Sequence, residues 1–170
     1  AAPRKGPMPP PTSPHRFHAF LSHDWGLDQA NHRRVVAIND ALRSAGLTTW
    51  LDEEHMSSTS AGLIRHGMSE GINSSQVVLV FVTKEYERKV NGTNLTDNCM
   101  LEFQYAIDTK TTSSIVPVVL DACMTSTKSW SHGVLRMVLG NALFVDLSES
   151  IVGEARARAI EALARRVVGL

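Results

Sequence analysis

The chain has 170 residues, 43% of them hydrophobic and 20% charged, with 17 Lys and Arg against 17 Asp and Glu. That is the size and composition of one ordinary globular domain, able to bury a core without disulfide or metal staples. The zero net charge argues against a dedicated nucleic-acid binder and against an acidic or basic disordered tail.

Residues 1–15 read as a Pro-rich linker, with six of the seven prolines between Pro3 and Pro14. Such a stretch favours extended polyproline geometry and builds no core. The remainder, 16–170, reads as one domain of alternating strands and helices. Phe17–Leu21 is a short apolar strand. Asn31–Ala45 is a helix with Val35, Ile38 and Leu42 on one face, stopped by Gly46. Thr48–Leu51 is a second strand ending at Asp52. Gly62–Asn73 is a helix with Ile64, Met68 and Ile72 at four-residue spacing. Val77–Val82, an almost unbroken β-branched run, suits a strand buried on both faces. Lys84–Leu95 reads as a polar loop, after which Thr96 or Asp97 caps a helix reaching about Thr109. Ile115–Leu120 is the fourth strand, although Pro117 suggests an edge. The stretch 121–141 is the least legible, with Trp130 and Val134–Leu139 suggesting a short helix on the sheet. Ala142–Val145 is the fifth strand, and Val152–Val168 a final amphipathic helix whose arginines form a solvated face.

Cys99 and Cys123 make no disulfide framework, and no zinc-spaced cluster exists, so no metal is expected. No apolar run approaches the roughly 20 residues needed to cross a bilayer, and the N-terminus has no signal-peptide core. The Asn-x-Ser/Thr triplets at Asn73, Asn91 and Asn94 read as chance products of polar loops rather than glycan sites. A cytoplasmic location is expected.

Helices of 10–15 residues between strands mean βαβ units and a parallel sheet. Five strands suggest a flavodoxin-like three-layer α/β fold, order 2-1-3-4-5, with helices on both faces. Its ligand crevice would open at the carboxyl ends of strands one and three. That selects residues 22–30 and 83–102. A phospho-receiver domain on this fold is set aside, because Asp24 stands alone and Thr83-Lys84-Glu85 follows strand three.

Three motifs in order make the chain resemble the Toll/interleukin receptor (TIR) domain family. They are Phe20-Leu21-Ser22-His23, Gly46–Glu54 with Trp50 and Asp52, and Cys99-Met100-Leu101-Glu102-Phe103. Gly71–Ser75 and Ile115-Val116-Pro117-Val118 add to the match, which spans about 17–168. Some members of that family cleave NAD at the nicotinamide–ribose bond; others are scaffolds that assemble through TIR–TIR contacts. The resemblance to the cleaving members implies Glu102 as catalytic carboxylate, with NAD as substrate and no further cofactor. It implies Ser22, His23, Asp24, Trp25, Asp52, Asn98 and Cys99 as substrate-binding candidates, and self-association or other TIR domains as partners in immune signalling. Where NAD-cleaving members often carry Trp, this chain has Asn98.

One carboxylate is chemically sufficient for such a reaction. Glycosidases use two because a sugar leaving group must be protonated. The pyridinium of NAD leaves as a neutral base, so only the oxocarbenium-like transition state needs stabilising. At i and i+4 in a helix, Asn98 and Glu102 share a face, near the N-terminal end where the macrodipole favours an ionised acid. Cys99 fits a small packing residue better than a nucleophile, and His23 a packing or hydrogen-bonding role better than acid–base work.

Overall fold

The computed structural model describes residues 8–12, 14–51 and 61–170, with side chains from 66 onward in the last stretch. Its sheet runs β1 (Phe17–Ser22), β2 (Thr49–Trp50), β3 (Ser75–Val82), β4 (Ile115–Val119) and β5 (Val145–Asp146). The spatial order is β2-β1-β3-β4-β5, every pairing is parallel, and the expected topology is present. Between the strands lie α1 (Ala30–Ser44), α2 (Ala61–Ser74), α3 (Lys84–Val90), α4 (Asn98–Thr109), α5 (Val134–Leu139) and, last, α6 (Gly153–Val168).

The unbroken apolar run of β3 is explained by its central place. Val77, Leu79 and Phe81 enter a cluster with Val35, Ile38 and Leu42 of α1 and Leu163 and Val167 of α6. Val78, Val80 and Val82 point the other way, to Ile72 of α2, Tyr86 of α3, Phe103 of α4 and Leu135 of α5. The period-two alternation of a strand thus feeds both faces at once, and three layers result. Gly46 ends α1 at φ +99°, where its N–H donates to Arg43 O at 2.8 Å and Leu47 N–H to Leu42 O at 3.1 Å. Those two bonds form a Schellman stop, and its positive φ favours Gly.

Three expectations need correction. Residues 84–90 form a helix, not a loop. Thr83 caps it by accepting from Tyr86 N–H, and Glu85 and Glu87 stand in its first turn with Arg88 and Lys89 in its last. Only Tyr86 and Val90 give it apolar periodicity, too short a signal to read. Pro117 lies in an interior strand. Leu120 N–H donates to Val82 O, whereas Val119 O accepts from Leu147 N–H. By alternation the missing N–H of Pro117 faces β5, whose pairing begins only at Val118↔Val145. The fifth strand starts late because Ala142 N–H still bonds Leu139 O, so the chain is turning at the end of α5.

The arginines of α6 divide. Arg158 and Arg165 pair with Glu154 and Glu161 at i−4, in solvent. Arg156 and Arg166 instead reach the carbonyls of Leu147 and Leu143, at 2.9 and 2.5 Å, binding the helix to the β5 segment. The described end of the Pro-rich stretch lies against the domain. Met8 packs on the α1-side core, Pro9 O bonds His18 Nε2 at 2.8 Å, and Thr12 N–H donates to Gln76 Oε1 at 3.0 Å.

Candidate functional site

At the carboxyl ends of β1 and β3 the chain leaves the sheet in opposite directions, and a cavity of about 380 Å³ opens between the two loops. His23 and Trp25 line it from the β1 loop, Lys89 from α3, Asn94, Thr96 and Asp97 from the following connection, and Asn98, Cys99 and Glu102 from α4.

The β1 loop is tightly wound. Gly26, Asp28 and Gln29 have φ of +71°, +49° and +60°, and a left-handed conformation costs a non-glycine residue about 1 kcal/mol or more. The turn lets Asn31 and His32 N–H both donate to Trp25 O at 3.1 Å, starting α1. Its anchor is Asp24, which is 1% exposed. One Asp24 oxygen accepts from Asn31 Nδ2 at 2.8 Å, and the other from the Thr83 hydroxyl. Asp24 therefore ties the β1 loop to the start of α3 and is not among the residues lining the cavity.

Trp25 is half in solvent, and its indole stacks on His32, ring centres 4.8 Å apart. His32 stacks in turn on His23 at 5.0 Å. A carbonyl only accepts, so His23 Nδ1 is the donor toward Leu21 O, at 3.2 Å. In a neutral His23, Nε2 then accepts from His32 Nδ1, 2.7 Å away. The stack gives Trp25 a fixed face at the cavity edge, suited to a flat ring.

Helix α4 begins at Asp97, whose carboxylate accepts from Cys99 and Met100 N–H at 2.9 and 3.3 Å. That cap sets the helix so that Glu102, one turn in, faces the cavity floor at 4% exposure. Ser22 Oγ donates to Glu102 Oε2 at 2.6 Å, and Tyr86 Oη lies 2.8 Å from Ser22 Oγ. Burial, and secondarily the nearby Glu102 carboxylate, push the Cys99 thiol far above its ordinary pKa; its hydrogen points to His23 O at 3.5 Å. A thiol so held is a packing group, not a nucleophile.

The structure thus places His23, Trp25, Asn98, Cys99 and Glu102 around one cavity. Ser22 and Asp24 stand behind that lining, bound to its supports, and Asp52 lies outside the described residues. Lys89 went unread in the sequence because its segment was taken for loop; the Thr83 cap preceding acidic residues was the available signal. A larger hollow of about 720 Å³ surrounds α5, with Lys128, His132 and Arg136 but no carboxylate, so chemistry rather than size selects the smaller one. Glu102 also borders an apolar slot of about 150 Å³ between α2 and α4, beside Met68, Ile72, Leu101 and Tyr105. Among the described residues no group of three His, Cys, Asp or Glu could hold a metal ion, and no helix is long and apolar enough to cross a membrane.

Comparison with known proteins gives matches of two kinds, to a family model and to solved structures. The family model for the TIR domain matches residues 19–164. A solved structure described as a prokaryotic SEFIR domain superimposes with a TM-score of 0.64, at 17% sequence identity, over 89% of this chain and 92% of that one. At that identity the likeness speaks for the fold. No curated protein matches the sequence.

Proposed function

Since the chain belongs to the TIR domain family, we propose that it cleaves NAD at the nicotinamide–ribose bond, with Glu102 as the carboxylate beside the reacting carbon. The observation that carries this reading is the placement of Glu102, buried at the floor of a polar cavity at the sheet's switch point. The ribose C1′–N bond breaks with its electron pair going to nicotinamide, which departs neutral, so no acid is needed. The cationic sugar left behind is stabilised by the ionised Glu102 in a low-dielectric setting. Water then adds at C1′ and releases a proton, giving ADP-ribose; attack by the adenine ring gives a cyclic product instead.

The cavity's size suits part of a dinucleotide, at the lower end of the range for small-molecule sites. Lys89, the cation among the described lining residues, is suited to a phosphate, and Trp25 to a flat ring. A neutral chain offers no bulk positive field for the pyrophosphate, which makes such local donors important. TIR domains self-associate or bind other TIR domains. For this chain we expect activity to rise with self-association through a head-to-tail contact, in cytoplasmic signalling.

The test is incubation of the purified domain at high concentration with NAD and chromatographic measurement of nicotinamide. Release by the wild type and none by Glu102→Gln, which keeps shape and removes charge, is the expected result. No release above blank, or undiminished release by Glu102→Gln, refutes the reading. A second reading is a non-catalytic TIR–TIR interaction module. Asn98 in the cavity, where NAD-cleaving relatives often have Trp, favours it. Its mark is concentration-dependent assembly that survives Glu102→Ala, without NAD turnover.

A further inference from the structure

Tyr86 is fully buried, its ring packed with Phe20, Val80 and Val90. A phenylalanine would fill that apolar site without the cost of burying a hydroxyl. The hydroxyl is used: it lies 2.8 Å from Ser22 Oγ, which lies 2.6 Å from Glu102 Oε2. The proton order along this chain is fixed by elimination. Burial raises the Tyr86 pKa well above the ordinary phenol value, so the group stays protonated and donates. Ser22 has one hydrogen, which goes to the carboxylate, leaving its lone pair to accept from Tyr86. The ring is held by its own backbone, since Tyr86 N–H donates to Thr83 Oγ1, whose hydroxyl is bound to Asp24.

We propose that Tyr86 is a positioning residue that acts through Ser22 to hold the Glu102 carboxylate ionised and fixed at the cavity floor. The chain joins α3, β1 and α4 through three side chains, so one buried phenol of α3 sets the state of an acid on α4. Each link polarises the next. Among the described residues, the charged or titratable groups that line the cavity with Glu102 are His23 from the β1 loop, Lys89 from α3, the Asp97 cap and Cys99 of α4, and Asp24 acts on the same chain through Tyr86. Of the described α2 residues, Met68, Ser69 and Ile72 border Glu102 and bring no charge. The inference rests on reading Glu102 as the working carboxylate, but its measurement does not require turnover.

Glutamate labelled with ¹³C at Cδ is titrated by NMR in the full chain, the Glu102 signal being assigned by its loss in Glu102→Gln. Ser22→Ala is expected to raise the Glu102 midpoint by roughly one pH unit, the effect of losing a hydrogen bond to an ionised group. Tyr86→Phe, nearly isosteric, is expected to raise it by about a few tenths. In the nicotinamide assay the acid limb of kcat moves by the same increments while KM stays put. A merely structural role would lower thermal stability and leave the midpoint where it was. An unmoved midpoint in natively folded Tyr86→Phe and Ser22→Ala overturns the proposal; if Ser22→Ala fails to fold, Tyr86→Phe alone decides. Shifted midpoints without nicotinamide release uphold the positioning role and refute the NAD-cleaving reading. Release with unmoved midpoints does the reverse.

Discussion

Replacing Gly71 by Ala sets two known effects against each other. Gly71 is buried in α2, and a Cβ there would stand 2.7 Å from Cε2 and Nε1 of the Trp50 indole and 2.8 Å from Cδ2. Ordinary carbon contacts are about 3.5–4.0 Å, so the ring would have to retreat by roughly 1 Å. Trp50 is a rigid bicycle, 6% exposed, packed edge-on against Phe17 at 5.3 Å. Overpacking of this kind costs about 1–3 kcal/mol. Gly→Ala inside a helix returns about 1 kcal/mol. The net expectation is a loss of about 1 kcal/mol, which for a domain of this length lowers Tm by about 2–4 °C. Calorimetry on both proteins measures it, and tryptophan fluorescence reports the displaced indole. A Tm that rises by a few degrees would mean helix propensity alone governs the site, and the argument from Trp50 contact would fail.

Four further outcomes are expected. Glu87 is 1% exposed and accepts from Ser131 N–H and Lys84 Nζ, both at 2.5 Å; Glu87→Ala removes both bonds, and because Ser131 is exposed and water can replace its partner, the cost should be about 1–2 kcal/mol in urea unfolding. Of the two cysteines, exposed Cys123 should react with a disulfide reagent at pH 8 at once, and Cys99 only after denaturation. Because folding raises the Cys99 pKa above its ordinary 9.0, the unfolded chain releases that proton first. Stability is then intact below pH 9 and falls above it by about 1.4 kcal/mol per pH unit; denaturant titrations of Cys99→Ala should show a shallower decline. Lys89→Met should raise KM for NAD about threefold to tenfold and leave kcat unchanged, with little effect on a substrate that lacks phosphate.

Topology was legible because its signals are long. The β-branched run of β3, the four-residue spacing in α2 and the Gly46 stop each report a whole element. The crevice followed from strand order alone, since the switch point is a property of the winding. What escaped was short or cooperative. α3 has two buried apolar residues in seven, so its helix is written in a Thr83 cap and charge placement rather than in periodicity. Asp24 sits between two lining residues in sequence, yet its carboxylate faces Asn31 and Thr83, which no local pattern discloses. Tyr86 read as loop polarity, although its hydroxyl meets Ser22 64 residues away in sequence.

The docked N-terminal stretch fixes where anything attached to it will hang. Pro9 and Thr12 are held by His18 and Gln76, which stand at the starting ends of β1 and β3. The cavity opens at the finishing ends, about 15–20 Å further on at roughly 3.3 Å per strand residue. A dye or tether attached at Met8 therefore sits at the opposite pole. Such a handle can report on crowding or filament growth while leaving the mouth of the cleft unobstructed, which makes this end the natural one for immobilising the domain on a surface.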